Sequence, residues 1–169
     1  MVRRGLKMTV SGVKKIITVT TLKRKLQSHR REGRSIAFTN GCFDILHYGH
    51  VSYLERAAKG NRILIVGLNS DRSVRKLKGP QRPINAQRAR ARVMAALACV
   101  DYVTLFDAAT PLELIKAVKP DVLIKGADWK DRPVVGSELV RSWGGRVEFI
   151  RFERGFSTTQ LIKKIKHYG

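Results

Sequence analysis

Residues 38–50 read Phe-Thr-Asn-Gly-Cys-Phe-Asp-Ile-Leu-His-Tyr-Gly-His, and this segment is the most informative part of the sequence. It begins inside an apolar run, Ile36–Thr39, that is typical of a strand, and it continues into a helical pattern that starts near His50. A helix that begins directly after a strand presents free N–H groups and the positive end of its dipole, which bind phosphate. His47 and His50 lie three residues apart at that helix start, so both imidazoles can face one polyphosphate. Gly49 lets a nucleotide approach the backbone closely.

Other well-known motifs for metal or phosphate binding are absent from the sequence. A zinc protease motif needs two histidines four residues apart with a glutamate between them, and His47 and His50 do not fit it. The chain contains neither a GxxxxGK[ST] phosphate loop nor a GxGxxG dinucleotide fingerprint. Phosphate binding after the first strand must therefore use another arrangement.

Short apolar runs alternate with amphipathic stretches along the chain, which is the pattern of βαβ units around a parallel sheet. The predicted strands are Ile36–Thr39, Ile63–Leu68, Tyr102–Phe106, Val122–Ile124 and Val147–Phe152. The predicted helices are Thr21–Arg31, His50–Ala58, Ala86–Ala98, Pro111–Val118, Ser137–Trp143 and Thr158–Lys166. The fold class is therefore α/β, a three-layer Rossmann-like doubly wound parallel sheet, with ligands expected at the carboxyl ends of the strands.

Length and apolar content limit the classes of protein to consider. The 169 residues fit a single domain over residues 19–169, preceded by a basic leader over residues 1–18 that we expect to be poorly ordered. The longest apolar run, Val93–Val100, has eight residues, whereas a membrane-spanning helix needs about 20, so no membrane insertion is expected. Cys42 and Cys99 form no CxxC pair, which favours a reduced, cytoplasmic protein over a disulfide scaffold.

The charge of the chain is strongly positive. There are 34 Lys and Arg residues against 13 Asp and Glu residues, a net charge of +21. This excess is compatible with a nucleic acid partner, with a small phosphorylated substrate, or with a merely solvated basic surface. No helix-turn-helix, zinc-finger or aromatic RNP-like signature accompanies the charge, so nucleic acid is not the expected partner.

Residues 38–50 resemble the signature of the HxGH nucleotidyltransferases, the cytidylyltransferase-like superfamily. Further segments match this superfamily and follow in its order along the chain. They are Asn69–Asp71, Leu77–Gly79 with Arg82–Pro83, Val100–Val103, Lys125–Trp129 and Gly155–Thr159. Together they are most similar to the bacterial D-glycero-β-D-manno-heptose 1-phosphate adenylyltransferases, over roughly residues 20–167.

This resemblance implies a reaction. An oxygen of a sugar 1-phosphate attacks the α-phosphorus of ATP, which releases pyrophosphate and forms ADP-heptose for lipopolysaccharide inner-core synthesis. Catalysis then depends on positioning and on stabilising charge at the phosphates. Mg²⁺ is expected to accompany ATP, bound through its phosphates and not by a cage of protein ligands. Members of this family are commonly dimers, so a homodimer is expected.

The resemblance also assigns roles to residues. The expected catalytic residues, which act on the phosphates, are His47, His50 and Lys78. Besides the two histidines, the expected nucleotide contacts are Thr39, Asn40, Gly41, Phe43, Gly49, Arg90, Lys125, Gly126, Asp128, Ser157, Thr158 and Thr159. Lys78 is also an expected contact of the second substrate, and the other contacts of that kind are Asp44, Lys76 and Arg82. A carboxylate at Asp44 would repel phosphate unless it orients a neighbouring group or Mg²⁺.

Two alternatives stay open at this point. The first keeps the chemistry and changes the substrates to CTP and glycerol 3-phosphate. The second is a basic nucleic-acid-binding protein built on a degenerate nucleotidyltransferase fold. Intact His47, Gly49, His50 and Thr158 argue against the second alternative.

Overall fold

One parallel sheet organises the chain. The computed structural model describes residues 11–153 and 155–168. Its strands are β1 (Ser35–Gly41), β2 (Arg62–Asn69), β3 (Tyr102–Phe106), β4 (Val122–Gly126) and β5 (Arg146–Ile150). They are parallel throughout and lie in the order β3-β2-β1-β4-β5. The predicted α/β fold is confirmed, and each predicted strand is present with its ends shifted by two residues at most.

Helices cover both faces of the sheet. They are α1 (Val19–Arg31), α2 (Tyr48–Ala57), α3 (Asp71–Lys78), α4 (Gln87–Ala96), α5 (Leu112–Val118), α6 (Ser137–Ser142) and α7 (Thr158–Tyr168). Because side chains alternate along a strand, Ile36 and Phe38 of β1 pack in a core with α1, α5 and α6, whereas Ala37 packs in a second core with α2 and α4. Among the described residues, no helix combines the length and the apolar character needed to cross a membrane.

The strand order places a crevice beside β1. From β1 the chain first builds the sheet outward through β2 and β3, and then crosses to the other side of β1 to form β4 and β5. The connections on the two sides of this switch point diverge at the carboxyl ends of the strands, which leaves room for a ligand between β1 and β4.

Three details differ from the sequence-based expectation. Helix α3 was not predicted, because only Val74 among its apolar side chains is buried; Ser70 begins the helix by accepting a hydrogen bond from the Ser73 N–H at 3.1 Å. Pro111 caps α5 and is not its first helical residue. Strand β5 ends at Ile150, so Phe152 lies beyond the sheet.

The segment before α1 contacts the domain. Of the leader expected over residues 1–18, residues 1–10 lie outside the described residues. Ser11–Lys15 form a 3₁₀ turn, and the Lys15 ammonium donates to the carbonyls of Leu97 and Val100 at 3.0 and 2.7 Å. The Ile17 N–H donates to Val103 O at 3.0 Å, along the outer edge of β3. The backbone after residue 10 therefore docks on the domain through specific hydrogen bonds.

Candidate active site

A cleft of about 340 Å³ opens at the carboxyl ends of β1 and β4, at the switch point of the sheet. Ten residues that the sequence analysis selected line it. They are Asn40, Gly41, Phe43, Asp44, His50, Lys78, Lys125, Gly126, Asp128 and Thr158. The selected residues therefore converge from the ends of two strands, from the starts of α2 and α7, and from the end of α3.

The two histidines of the motif form a stacked pair. His47 caps the start of α2 and His50 lies in its first turn, which brings their ring centroids to 3.8 Å with the planes inclined by 20°. His50 lines the cleft and lies in an edge contact with Phe43, whereas His47 is not among the residues that line the cleft. Both Nδ1 atoms are buried, with no hydrogen-bond partner among the described residues.

Burial keeps this pair neutral. It lowers the pKa of His47 below its usual value, and burial together with the neighbouring His47 lowers the pKa of His50 to about 4. At neutral pH, His50 can therefore present an N–H to a phosphate oxygen without the repulsion that two stacked imidazolium rings would suffer.

Acidification is expected to destabilise the fold through these histidines. Because the pKa of His50 is near 6.5 in the unfolded chain and about 4 in the folded one, the unfolded state binds more protons in between. The free energy of unfolding should fall as the pH drops from 6.5 towards 4, with on the order of 3 kcal/mol from His50. Urea unfolding at a series of pH values measures this slope. A His50→Gln variant with the wild-type slope would contradict the assignment.

Lys125 joins the ends of β4 and β1. Its buried ammonium donates to Asn40 Oδ1 at 2.6 Å and lies 5.5 Å from the centre of the Trp129 ring. Burial lowers the pKa of Lys125 to about 8, although the nearby Asp128 carboxylate opposes this shift. A cation at this position is held against the cleft wall and can neutralise an anionic ligand.

Gly126, the residue after Lys125, occupies a position where no side chain fits. A Cβ atom there would lie 2.1 Å from Cε2 of Phe152 and 2.3 Å from Oδ1 of Asp128. Both of these side chains line the cleft, so its shape depends on the missing Cβ.

Substituting Gly126 with alanine is expected to weaken nucleotide binding while preserving the fold. The new methyl group must displace the half-exposed Phe152 ring and the Asp128 carboxylate, and both can move outward into solvent. For ATP, the nucleotide that the sequence resemblance implies, we expect the dissociation constant to rise about tenfold or more, because a preformed wall of the cleft is lost. Calorimetric titration measures the affinity, and circular dichroism verifies the fold. Wild-type affinity in the folded variant would show that this wall does not contact the nucleotide.

Asp44 lines the floor of the cleft, but its carboxylate is bonded to the protein. Oδ2 accepts from Arg82 Nε at 2.6 Å and from the Ile84 N–H at 3.0 Å, and Oδ1 accepts from the Asn85 N–H at 2.9 Å. Burial alone would raise the pKa of Asp44, but these N–H donors and the Arg82 guanidinium hold it below its usual value. In this structure Asp44 and Arg82 thus hold the 82–85 loop against the motif, which differs from the substrate contacts expected for both.

Arg90 is fully buried under the cleft. Its guanidinium donates to the carbonyls of Asn85, Cys42 and Asn69 at 2.9, 2.5 and 2.8 Å, and to the Asp71 carboxylate at 2.9 Å. A nucleotide contact was expected for Arg90. In this structure the guanidinium is directed instead at carbonyls of the protein, and the side chain has no exposed surface.

Five further selected residues lie near the cleft without lining it. Thr39 is buried and shares a hydrogen bond of 2.8 Å with the Tyr53 hydroxyl, and a Cβ on Gly49 would lie 3.2 Å from the His47 ring. Ser157 Oγ accepts from the Gln160 N–H at 3.1 Å, as a helix cap does. Thr159 and Lys76 are exposed.

The cleft includes residues that the sequence analysis did not select as ligand contacts. They are Cys42, Tyr53, Asn69, Leu77, Trp129 and Phe152. Tyr53 lies one helical turn after His50, and Asn69 ends β2, so their positions in the elements were a usable signal. Phe152 stacks on Tyr53 with ring centroids 5.0 Å apart. Its place depends on where β5 ends, which the apolar pattern placed two residues too late.

Known proteins resemble this chain in sequence. The cytidylyltransferase-like family model matches residues 38–166. The "Bifunctional protein HldE" of Syntrophotalea carbinolica is 52% identical over 145 residues, which are 86% of this chain and 30% of that protein. The protein of the same name from Campylobacter fetus subsp. fetus is 54% identical over 163 residues, which are 96% of this chain and 34% of that protein. The chain thus spans about a third of the length of these curated relatives.

Two solved structures share the fold. The "lipopolysaccharide core biosynthesis protein" of Thermoplasma volcanium has a TM-score of 0.58 and 28% identity, over 70% of this chain and 96% of that one. A pantoate-beta-alanine ligase from Francisella tularensis has a TM-score of 0.61 over 90% of this chain and 77% of that one, and at 15% identity it supports the fold alone. The family match over residues 38–166 confirms the resemblance seen in the motifs: this chain belongs to the cytidylyltransferase-like family.

Proposed function

We propose that this chain transfers AMP from ATP to D-glycero-β-D-manno-heptose 1-phosphate, giving ADP-heptose and pyrophosphate. The observation that carries the proposal is the convergence of His50, Lys78, Lys125 and Thr158 on one cleft at the switch point of the sheet. Relatives about half identical to the chain are named bifunctional protein HldE, and a related structure is titled a lipopolysaccharide core biosynthesis protein. Both names agree with the heptose adenylyltransferase resemblance of the motifs.

The reaction needs no covalent intermediate on the protein. A phosphate oxygen of the sugar 1-phosphate forms a bond to the α-phosphorus of ATP, and the bond from that phosphorus to the bridging oxygen of pyrophosphate breaks. The nucleophile is already an anion, so no general base is required. The protein contributes orientation of the two substrates and donors for the negative charge on the phosphoryl oxygens.

We assign that work to three side chains of the cleft. His50 donates an N–H to the α-phosphoryl group. Because the pKa of His50 is lowered, its imidazole is neutral when it does so. Lys78, exposed at the end of α3, supplies a mobile cation to the phosphates of both substrates. Thr158, the first residue of α7, offers a hydroxyl and an N–H to the β- and γ-phosphates. These three groups thus supply hydrogen-bond donors and a positive charge for the negative charge on the phosphoryl oxygens.

The residues around the cleft do not form a protein cage for Mg²⁺. The part of the chain that the structure describes has no group of three or more His, Cys, Asp or Glu side chains arranged to hold a metal ion. Asp44 uses both of its carboxylate oxygens on Arg82, Ile84 and Asn85. We propose that Mg²⁺ is bound through the phosphates of ATP, which supply the oxygen ligands that this ion prefers.

Assembly and location follow from the same proposal. We propose that the chain acts in the bacterial cytoplasm, which contains ATP and keeps free thiols such as those of Cys42 and Cys99 reduced. We also propose a homodimer, as is common in the family. Sedimentation velocity tests the dimer, and a single species with the mass of one chain would contradict it.

Pyrophosphate release tests the function. Purified protein with Mg²⁺ is supplied with ATP or CTP in combination with heptose 1-phosphate, other hexose 1-phosphates or glycerol 3-phosphate. We expect pyrophosphate release only in the combination of ATP with heptose 1-phosphate. Release with CTP and glycerol 3-phosphate would transfer the chain to another activity of the family. A folded protein that binds no ATP but binds RNA or DNA at physiological salt would overturn the enzyme and favour a nucleic acid partner for its +21 charge.

A further inference from the structure

Helix α7 carries Thr158 into the cleft, yet it is weakly packed. None of its eleven residues, all of which the structure describes, is buried. Near its end, Ile165 and Tyr168 are 66% and 86% exposed. Because burial of apolar surface is the usual force that fixes a helix, the position of the α7 N-terminus needs another source of stability.

Contacts with one side of α2 supply this stability. Tyr48, Ser52 and Arg56 are spaced four residues apart, so they lie on one stripe of the helix. All three contact the connection between β5 and α7. Ser52 Oγ donates to Glu153 Oε1 at 3.0 Å, Arg56 forms an ion pair with the same oxygen, and the Tyr48 ring meets the edge of Phe156 with centroids 5.2 Å apart.

Glu153 is the centre of these contacts. Its side chain is 30% exposed and that of Arg56 is 39% exposed, so the pair is partly shielded from water. Arg56 uses its other terminal nitrogen to donate to Arg151 O at 3.1 Å, which secures the backbone two residues earlier. Gly155 then turns the chain into α7 with a φ of +83°, a conformation that glycine adopts without strain.

The arrangement joins two parts of the site through one helix. The first turn of α2 holds His50, and the next two turns hold the connection that leads to Thr158. The spacing between the histidine pair and the start of α7 is thereby set by a rigid element, as preorganised binding of one polyphosphate requires.

We propose that Glu153 is a positioning residue for nucleotide binding: by bonding Ser52 and Arg56, it fixes the start of α7 where Ser157–Thr159 meet the β- and γ-phosphates of ATP. This inference rests on the proposed function, because it takes those phosphates as the ligand of α7. It adds a residue outside the cleft lining whose removal affects ATP and spares AMP, which lacks the two outer phosphates.

Calorimetric titration of ATP and AMP tests the proposal. For Glu153→Ala we expect the dissociation constant of ATP to rise about tenfold, while that of AMP stays within about twofold of the wild-type value. Arg56→Met, which removes the partner, should give the same selective loss. In turnover assays the loss should appear in the KM for ATP with little change in kcat, because binding is affected before chemistry.

The matched control is Glu148→Ala on β5. Glu148 accepts from Arg62 at 2.6 and 3.2 Å and is 33% exposed, so it forms a comparable ion pair that does not involve the residues between β5 and α7. We expect this variant to keep both affinities. Unchanged ATP affinity in Glu153→Ala, or an equal loss of ATP and AMP affinity, would overturn the positioning role. A wild-type protein that binds neither nucleotide would instead overturn the proposed function, and the positioning role with it.

Discussion

Replacing His50 with alanine is expected to lower kcat for pyrophosphate release by on the order of 10²–10³, equivalent to roughly 3–4 kcal/mol of barrier. The reason is the position of this side chain, which lines the cleft in the first turn of α2 and is neutral at pH 7. A donor held rigidly beside a reacting phosphoryl group stabilises charge that develops in the transition state, and alanine leaves that charge without a partner.

Steady-state kinetics with ATP and the sugar phosphate measure this loss. His167→Ala is a suitable control, since His167 is exposed in the last turn of α7, far along the chain from the motif. Circular dichroism must show that His50→Ala is folded. Turnover within about threefold of the wild type in that folded variant would remove His50 from the catalytic assignment.

Replacing Arg90 with methionine is expected to lower the free energy of unfolding by about 3–5 kcal/mol. The guanidinium has no exposed surface and bonds three carbonyls and the Asp71 carboxylate. Methionine fills much of the volume but donates no hydrogen bond, so the acceptors of Cys42, Asn69 and Asn85 are left buried without partners.

Urea unfolding measures the effect, and the chain supplies matched controls two residues to either side. Arg88 and Arg92 are exposed on the same helix, and their methionine variants should change stability by less than about 1 kcal/mol. A similarly small change for Arg90→Met would mean that the carbonyls find other donors. In that case the buried arginine would not hold the loops together.

Much of the fold follows from the order of apolar and polar residues. All six predicted helices are present, as are the five strands. Apart from α7, in which no residue is buried, each of these elements buries apolar residues, and their spacing gave the pattern from which it was predicted. Helix α3 escaped prediction because its residues, DRSVRKLK, offer almost no apolar face. Its formation depends on Ser70 as a cap and on the packing of Val74.

The residues that line the cleft could be predicted from the sequence where they lie at the end of a strand. Asn40, Lys125 and Gly126 follow from the rule that ligands lie at the carboxyl ends of parallel strands. The hydrogen bonds that Asp44 and Arg90 form within the protein do not follow from that rule. The sequence shows that a charged residue lies near the expected ligand, but it does not show whether the side chain faces the ligand or the protein. For Arg90 one signal existed: it shares the inner face of α4 with Met94, four residues later.

The docking of residues 16 and 17 on β3 affects how copies of the protein meet. A strand at the edge of a sheet carries a row of N–H and C=O groups that can recruit a strand from another molecule. Here Ile16 bridges Val103 in parallel, and the Ile17 N–H occupies its carbonyl, so part of that row is already used within the chain. The charges of Lys14 and Lys15 beside this edge add repulsion between like surfaces. Together these features oppose the pairing of the β3 edge with a strand of another molecule, which is the first step of edge-to-edge aggregation.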